Sequence, residues 1–291
     1  MNAGAAAGGP VTVGRVLGVE EQPVGPLSVA DVQHVMRHLL GRQARTAGGD
    51  TGEAQPGEDV TPAPDRSDAA RQVSVIAGHP GAGSSTVALA LADAAAASGQ
   101  SVHLLDPASP GRSGLVAAAA VELGTDPTGT WRRGRRTSIV IERRAFFHGE
   151  STVVPSGVVD DELTVLDLGC TERTTARAIP TIVVCRANVP GVRLVEQRLE
   201  ELAGRPLLVA AVGPHGWARE VRASVGPRLT ALQDTALVVN VPWDSRLDVI
   251  GLTDRPLPRP VVAAGAQLLS SIDTARRLLA VDGRAAGRGD R

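Results

Sequence analysis

Lysine is absent from this chain of 291 residues, and all 30 of its basic side chains are arginines. That absence excludes Schiff-base chemistry, serine–lysine dyads and any phosphate site that relies on a lysine of the same chain, since a guanidinium does not reproduce a flexible ammonium. Cysteine is almost missing. Cys170 and Cys185 are the two thiols, which gives neither a disulfide framework nor a zinc pattern and suits a reducing compartment. A formal net charge of −1 with 21% charged residues argues against a general polyanion binder, so any nucleic-acid contact must be local. The beginning, MNAGAAAGGPVTVG, has no charged region ahead of an apolar run, and no stretch of about 18 apolar residues occurs. The expectation is a soluble, cytoplasmic protein with no transmembrane segment.

What is present divides the chain. Residues 1–26 are rich in Gly, Ala and Pro without a period and are expected to be disordered, and residues 42–71 form a polar Gly/Pro linker. Between them, 27–41 predicts an amphipathic helix: Ser28 and Asp31 resemble a capping box, and Val32, Val35, Met36, Leu39 and Leu40 form its stripe. His34 and His38 stand at a zinc-compatible spacing on it but have no third ligand nearby. From residue 72 to 280, short β-branched runs alternate with helical patterns: QVSVIA, a helix from Ser85 to Ser98, SVHLLD, a helix in GLVAAAAVEL, ELTVLDLG, TIVVCRA and its helix, PLLVAAVG, a helix in WAREVRASVGPRLTAL, TALVVNVP, and a final helix over 261–280. The strands read as continuous apolar runs, the mark of a parallel sheet covered on both faces. This predicts a doubly wound α/β domain with about six parallel strands. Residues 281–291 are expected to be a disordered tail.

The most specific signal is the stretch VSVIAGHPGAGSSTVALALA, residues 73–92. Gly78, Gly81 and Gly83 ahead of Ser84, Ser85 and Thr86 follow the G-x-x-x-x-G-x-[ST] spacing of a P-loop, with serine at the lysine position. In such a loop, glycines and Ala82 let successive N–H groups form an anion nest, and the following helix adds its positive end. Ser85 falls where a hydroxyl helps hold Mg²⁺. The lost ammonium would have neutralised charge as a γ-phosphoryl departs. A helix end contributes about 0.3–2 kcal/mol toward an anion, whereas removing a donor aimed at transition-state charge costs about 3–4 kcal/mol of barrier. Binding is therefore expected to outlast hydrolysis. Two other readings stay open: a dinucleotide turn using Gly81 and Gly83, with Thr86 where a third glycine belongs and Asp106 toward a ribose, and a plain strand-to-helix turn.

With these residues in place, the chain from about 72 to 280 resembles the ParA/MinD-type P-loop ATPases of the SIMIBI class. GHPGAGSSTVALALA is most similar to the atypical CpaE/TadZ and septum-site-determining branch, whose loop lysines are replaced, giving a degenerate Walker A motif. The resemblance implies an ATP and Mg²⁺ site made by Gly78, Gly81, Ala82, Gly83, Ser84, Ser85, Thr86, Asp106, Asp167, Pro242 and Asp244, with Ser85 and Asp167 on the metal. In it SVHLLDPASPG looks like the first switch, STVVPSG (151–157) the "LPAG" strand, ELTVLDLG the second switch with Asp167 as the Walker B aspartate, and VVNVPWDSRLDVIGLTDRPL (238–257) the segment lining adenine. Departures from the pattern fall on the hydrolytic machinery: His79 stands at the signature lysine, Ser84 at the loop lysine and Ala108 at the second aspartate of the first switch. The resemblance thus implies a nucleotide-binding or nucleotide-independent scaffold or positioning factor, dimeric across the P-loop face, serving a larger assembly, with weak or absent hydrolysis and no catalytic residue assigned. Alternatives are a slow ATPase completed in trans by Arg112 or an insert arginine, and a DNA-associated segregation protein.

A basic insert over 131–150 gathers Arg132, Arg133, Arg135, Arg136, Arg143 and Arg144 with Trp131, Phe146 and Phe147. It is expected to present arginines to a partner protein, with nucleic acid or anionic lipid as other occupants and a plain solvated face as the remaining alternative, while Ile139 and Ile141 of a strand turn inward.

Overall fold

The computed structural model describes residues 71–146, 162–170, 178–214 and 216–286. The expected helix at 27–41 with its histidines, the flanking segments 1–26 and 42–70, Phe147 and the strand at 151–157 lie outside the described residues. In chain order the elements are β1 (Gln72–Ala77), α1 (Ser84–Ala97), β2 (Val102–Asp106), β3 (Val121–Thr125), β4 (Trp131–Arg136), β5 (Ile139–Arg144), β6 (Leu163–Gly169), β7 (Thr181–Arg186), α2 (Val189–Glu201), β8 (Leu207–Gly213), α3 (Arg219–Arg222), α4 (Pro227–Asp234), β9 (Val238–Pro242), α5 (Ser245–Ile250) and α6 (Arg259–Ala286).

The strands form one sheet in the order β3-β4-β5-β2-β6-β1-β7-β8-β9. From β5 to β9 every pairing is parallel, whereas β3–β4 and β4–β5 are antiparallel. The doubly wound α/β class is as predicted, but the parallel part has one strand more than expected, and the insert adds an antiparallel margin. Alternate residues of the central strands feed two cores. Val73, Val75, Ile182 and Val184 pack with α1 and α6, while Ile76, Val183 and Cys185 pack with α2 and α4. Each fully buried Leu, Ile or Val contributes about 1.5–3 kcal/mol relative to exposure.

Local chemistry sets the helices. Val261, Ala264, Leu268, Ile272 and Ala275 form the buried stripe of α6, and a Cβ on Gly265 would lie 2.2 Å from the Ala90 carbonyl oxygen. Only glycine permits that approach of α6 to α1. Helix α2 begins at Asn188, whose side chain accepts from Gly191 N at 2.8 Å. The N-terminus of α4 is held at long range, Glu196 accepting from Arg228 N and Leu229 N at 2.7 and 3.0 Å.

Two expectations need correction. The alanine-rich GLVAAAAVEL does not form a helix: Leu115 and Ala118 turn into the core, and from Val121 the chain becomes strand β3. Its partner is β4, so pairing with a later segment overrides the local helix preference of alanine. The predicted single helix in 217–232 is two, α3 and α4, separated at Val225–Gly226 with Pro227 opening the second. Helix α6 extends to both sides of the expected 261–280. Among the described residues no helix is long and apolar enough to cross a membrane.

Candidate nucleotide site

The glycine turn lies between β1 and α1, at the carboxyl ends of the parallel strands where ligands of such sheets bind. Gly81 and Gly83 occupy left-handed conformations, at φ 75° and 99°, which glycine adopts without strain. Gly78 is required for closeness instead, because a Cβ there would meet the Val184 carbonyl oxygen at 3.1 Å. Gly83 is the N-cap of α1 and supplies no side-chain cap, and among the described residues no acceptor takes the N–H groups of Ser84, Ser85 and Thr86. Ala82 is fully buried beneath the turn. These free donors and the helix end give the turn positive partial charge from main chain alone.

Behind the turn stand two buried carboxylates. Asp106 ends β2 and Asp167 lies on β6, 1% and 2% exposed. Asp106 Oδ1 accepts from Ala108 N at 2.9 Å, whereas Oδ2 has no hydrogen-bond partner among the described residues. Burial and the neighbouring Asp167 push the Asp106 carboxyl up to about 7, against the pull of Ser113, the Ala108 N–H and Arg143. Burial also raises Asp167, opposed by the hydroxyls of Ser85 and Ser84 and the Gly169 N–H. The serine at the loop-lysine position is buried and acts on the Asp167 carboxyl. A Cβ on Gly114 would lie 2.7 Å from Ser85 Oγ, so the chain after β2 rests directly against that hydroxyl. Two desolvated acids, one orphaned oxygen and the Ser85 hydroxyl are a hard-oxygen donor set that fits Mg²⁺.

The far side of the turn shows what sequence reasoning missed. Arg186, the last residue of β7, donates from Nε to the Gly81 carbonyl at 3.0 Å, and its guanidinium lies 3.8 Å from the Trp243 ring centroid. Burial lowers its pKa, with Asp248 opposing. His79 accepts from Arg186 N at Nε2 (3.1 Å) and contacts the Pro80 carbonyl through Nδ1 (2.9 Å), which fits the tautomer protonated at Nδ1. The readable signal was a cation ending a parallel strand. Pro242 ends β9 as expected, and Asp244 caps α5 by accepting from Arg246 N and Leu247 N at 2.9 and 3.1 Å. Arg112 is exposed on the loop after β2, near enough to Cys170 to act on its thiol. That thiol is raised by burial and by Asp167, and burial pushes Cys185 up to about 12.

The insert departs from its expectation. Ile139 and Ile141 do face the core, but so do two arginines: Arg136 and Arg143 are 3% and 6% exposed. Arg136 forks onto Asp93 at 2.9 and 3.1 Å and donates to the carbonyls of Ala118, Thr253 and Arg255. Arg143 and Arg132 pair with Glu122, and Arg133 pairs with Glu142. Arg144 lies over Trp131 at 5.7 Å. Arg136 and Arg143 are therefore withdrawn from the predicted partner surface by ion pairing within the fold, and Arg135 is exposed.

Strand order also decides against the dinucleotide reading. β6 is inserted between β1 and β2, so Asp106 is not on the strand beside the turn, as a 3-2-1-4-5-6 sheet would place it. No protein-family model matches the sequence, and no curated protein matches it. Solved structures do. The MinD cell division ATPase of Pyrococcus furiosus shares 15% identity, with 70% of this chain and 98% of that chain covered at a TM-score of 0.45. Aquifex aeolicus MinD shares 17%, covering 72% and 97% at 0.42. A ParA family ATPase from Chlorobium tepidum shares 11%, covering 72% and 97% at 0.41. These structural neighbours are of the ParA/MinD type.

Proposed function

We propose that this chain is a ParA/MinD-like positioning or scaffold factor of the degenerate, CpaE/TadZ-like kind, which binds ATP with Mg²⁺ in the 78–86 turn and hydrolyses it weakly or not at all. The observation that carries the reading is the pairing of an uncapped α1 N-terminus with the orphaned, buried oxygen of Asp106 behind it. One offers donors to phosphate and the other an acceptor to a cation. In this reading the main chain from Gly81 to Thr86 holds the phosphates, and Ser85, Asp106 and Asp167 hold the metal. Mg²⁺ would supply charge neutralisation between the carboxylates and the phosphates. Ser84 leaves no side-chain cation at the loop-lysine position to stabilise a departing γ-phosphoryl. A second copy docked across the turn and a protein partner of a larger assembly complete the proposal.

Isothermal titration of the full chain with ATP and Mg²⁺ tests it. Binding is expected for the native chain and none for Gly83→Arg, whose side chain fills the turn, with phosphate release near background for both. A flat isotherm for the native chain overturns nucleotide binding. A second reading, a slow ATPase completed in trans, is favoured by the exposure of Arg112 beside the carboxylate end of the site. It requires phosphate release that rises with the square of protein concentration and disappears in Arg112→Ala.

A further inference from the structure

The geometry points to Arg186 as the side-chain cation of the phosphate site, a within-chain replacement for the lysine that the turn lacks, binding the polyphosphate tail of a nucleotide. This rests on the nucleotide reading of the turn given above. Three observations place the charge. Nε is fixed on the Gly81 carbonyl, so the guanidinium is tied to the loop itself. The plane stacks at 3.8 Å on Trp243, the residue after β9, which holds the group in one orientation without using its remaining donors. Among the described residues Arg186 has no side-chain hydrogen bond beyond the one from Nε, which leaves both Nη groups for an anion. An arginine fork with free Nη donors matches phosphate oxygens bidentately, which a lysine does not.

Of the other cations of the region, Arg112 is exposed on the loop after β2, and the rest are committed elsewhere. His79 uses both ring nitrogens on main-chain groups of Arg186 and Pro80. Arg143 is spent between Glu122 and Asp106, and Arg136 is closed into its contacts with Asp93 and three carbonyls. Arg186 is the final residue of β7, and β7 pairs directly with β1. Its position is therefore fixed by the sheet and not by a loop, which favours a precise contact. Trp243, 41% exposed, keeps a free edge beside the same mouth.

The test titrates the full chain with Mg-ATP and with AMP, using Arg186→Gln and Arg186→Lys, with melting midpoints measured in parallel. Glutamine keeps a donor for the Gly81 carbonyl but no charge, so it separates bracing of the loop from holding of phosphate. Arg186→Gln is expected to weaken ATP roughly 10- to 100-fold, the range for hydrogen bonds to a charged group, while AMP changes much less. Arg186→Lys is expected to fall between glutamine and the native chain, because charge returns without the fork. Unchanged or tighter ATP binding in Arg186→Gln overturns the assignment and leaves the site itself standing. Equal losses for ATP and AMP also overturn it, since that is the signature of a structural brace. Absence of ATP binding by the native chain overturns the nucleotide reading and Arg186 with it.

Discussion

Two pairs of acids, one on the antiparallel margin with Glu122 exposed and one buried beside the turn, are treated in opposite ways. On the antiparallel margin, Glu122 holds Arg132 and Arg143, and Glu142 holds Arg133 and His103, the last at 3.2 Å. Burial pushes the Glu142 carboxyl up, but His103 and Arg133 beside it outweigh that and leave it below its ordinary value. Beside the glycine turn, Asp106 and Asp167 have each other, a few hydroxyl and N–H donors and the weaker pull of Arg143 on Asp106, and both are raised. The margin is finished in its charge balance, although Glu142 Oε2, His103 Nε2 and Arg143 Nε make no hydrogen bond there among the described residues, whereas the turn is left short of positive charge. Desolvated acids with so little compensation make the turn, and not the arginine-dense margin, the candidate site.

The largest effect should come from breaking the finished side. Arg136→Leu strands Asp93 and three carbonyls, and a loss of about 3–5 kcal/mol is expected by denaturant unfolding. Next comes the unfinished side. Between pH about 4 and about 7 the folded chain keeps a proton on Asp106 that the unfolded chain has released. Stability should therefore be greatest in that respect below pH 4 and fall as pH rises through 7, by up to about 1.4 kcal/mol per pH unit. Asp106→Asn should flatten that slope in unfolding curves taken from pH 4 to 8. In the native chain Mg²⁺ affinity should rise over the same window, because the ion displaces the proton.

How far the sequence could be read follows the same division. Parallel strands such as QVSVIA and TIVVCR are continuous apolar runs, and their pattern is local, so their existence was legible. The glycine turn was legible for the same reason, since its spacing lies within one short stretch. Pairings that join distant segments were not. Arg136 looks like a surface cation until Asp93 and the 253–255 segment are brought to it, and Arg186 acquires its task only when the ends of β7 and β9 meet across β8. The alanine run before β3 was misread because the strand it leads into is defined by β4 and not by its own residues.

Smaller substitutions sharpen the contrast. Arg133→Ala leaves Glu142 with His103 as its remaining side-chain neighbour, and about 1 kcal/mol should be lost in thermal or denaturant unfolding. Arg135→Ala, at an exposed position on the same strand, should change stability by less than about 0.5 kcal/mol. If the two arginines cost the same, the margin is not held by the charge pairs described above.

The Arg136 clasp has a further consequence for how the chain assembles. The β4–β5 hairpin can form from neighbouring residues within microseconds, yet Arg136 bonds to Asp93 across 43 positions and to the Arg255 carbonyl across 119. Local zipping and final fastening are thus separate events. Amide protons of β4 should exchange with solvent at the pace of whole-chain opening, although the hairpin itself is among the first pieces able to form.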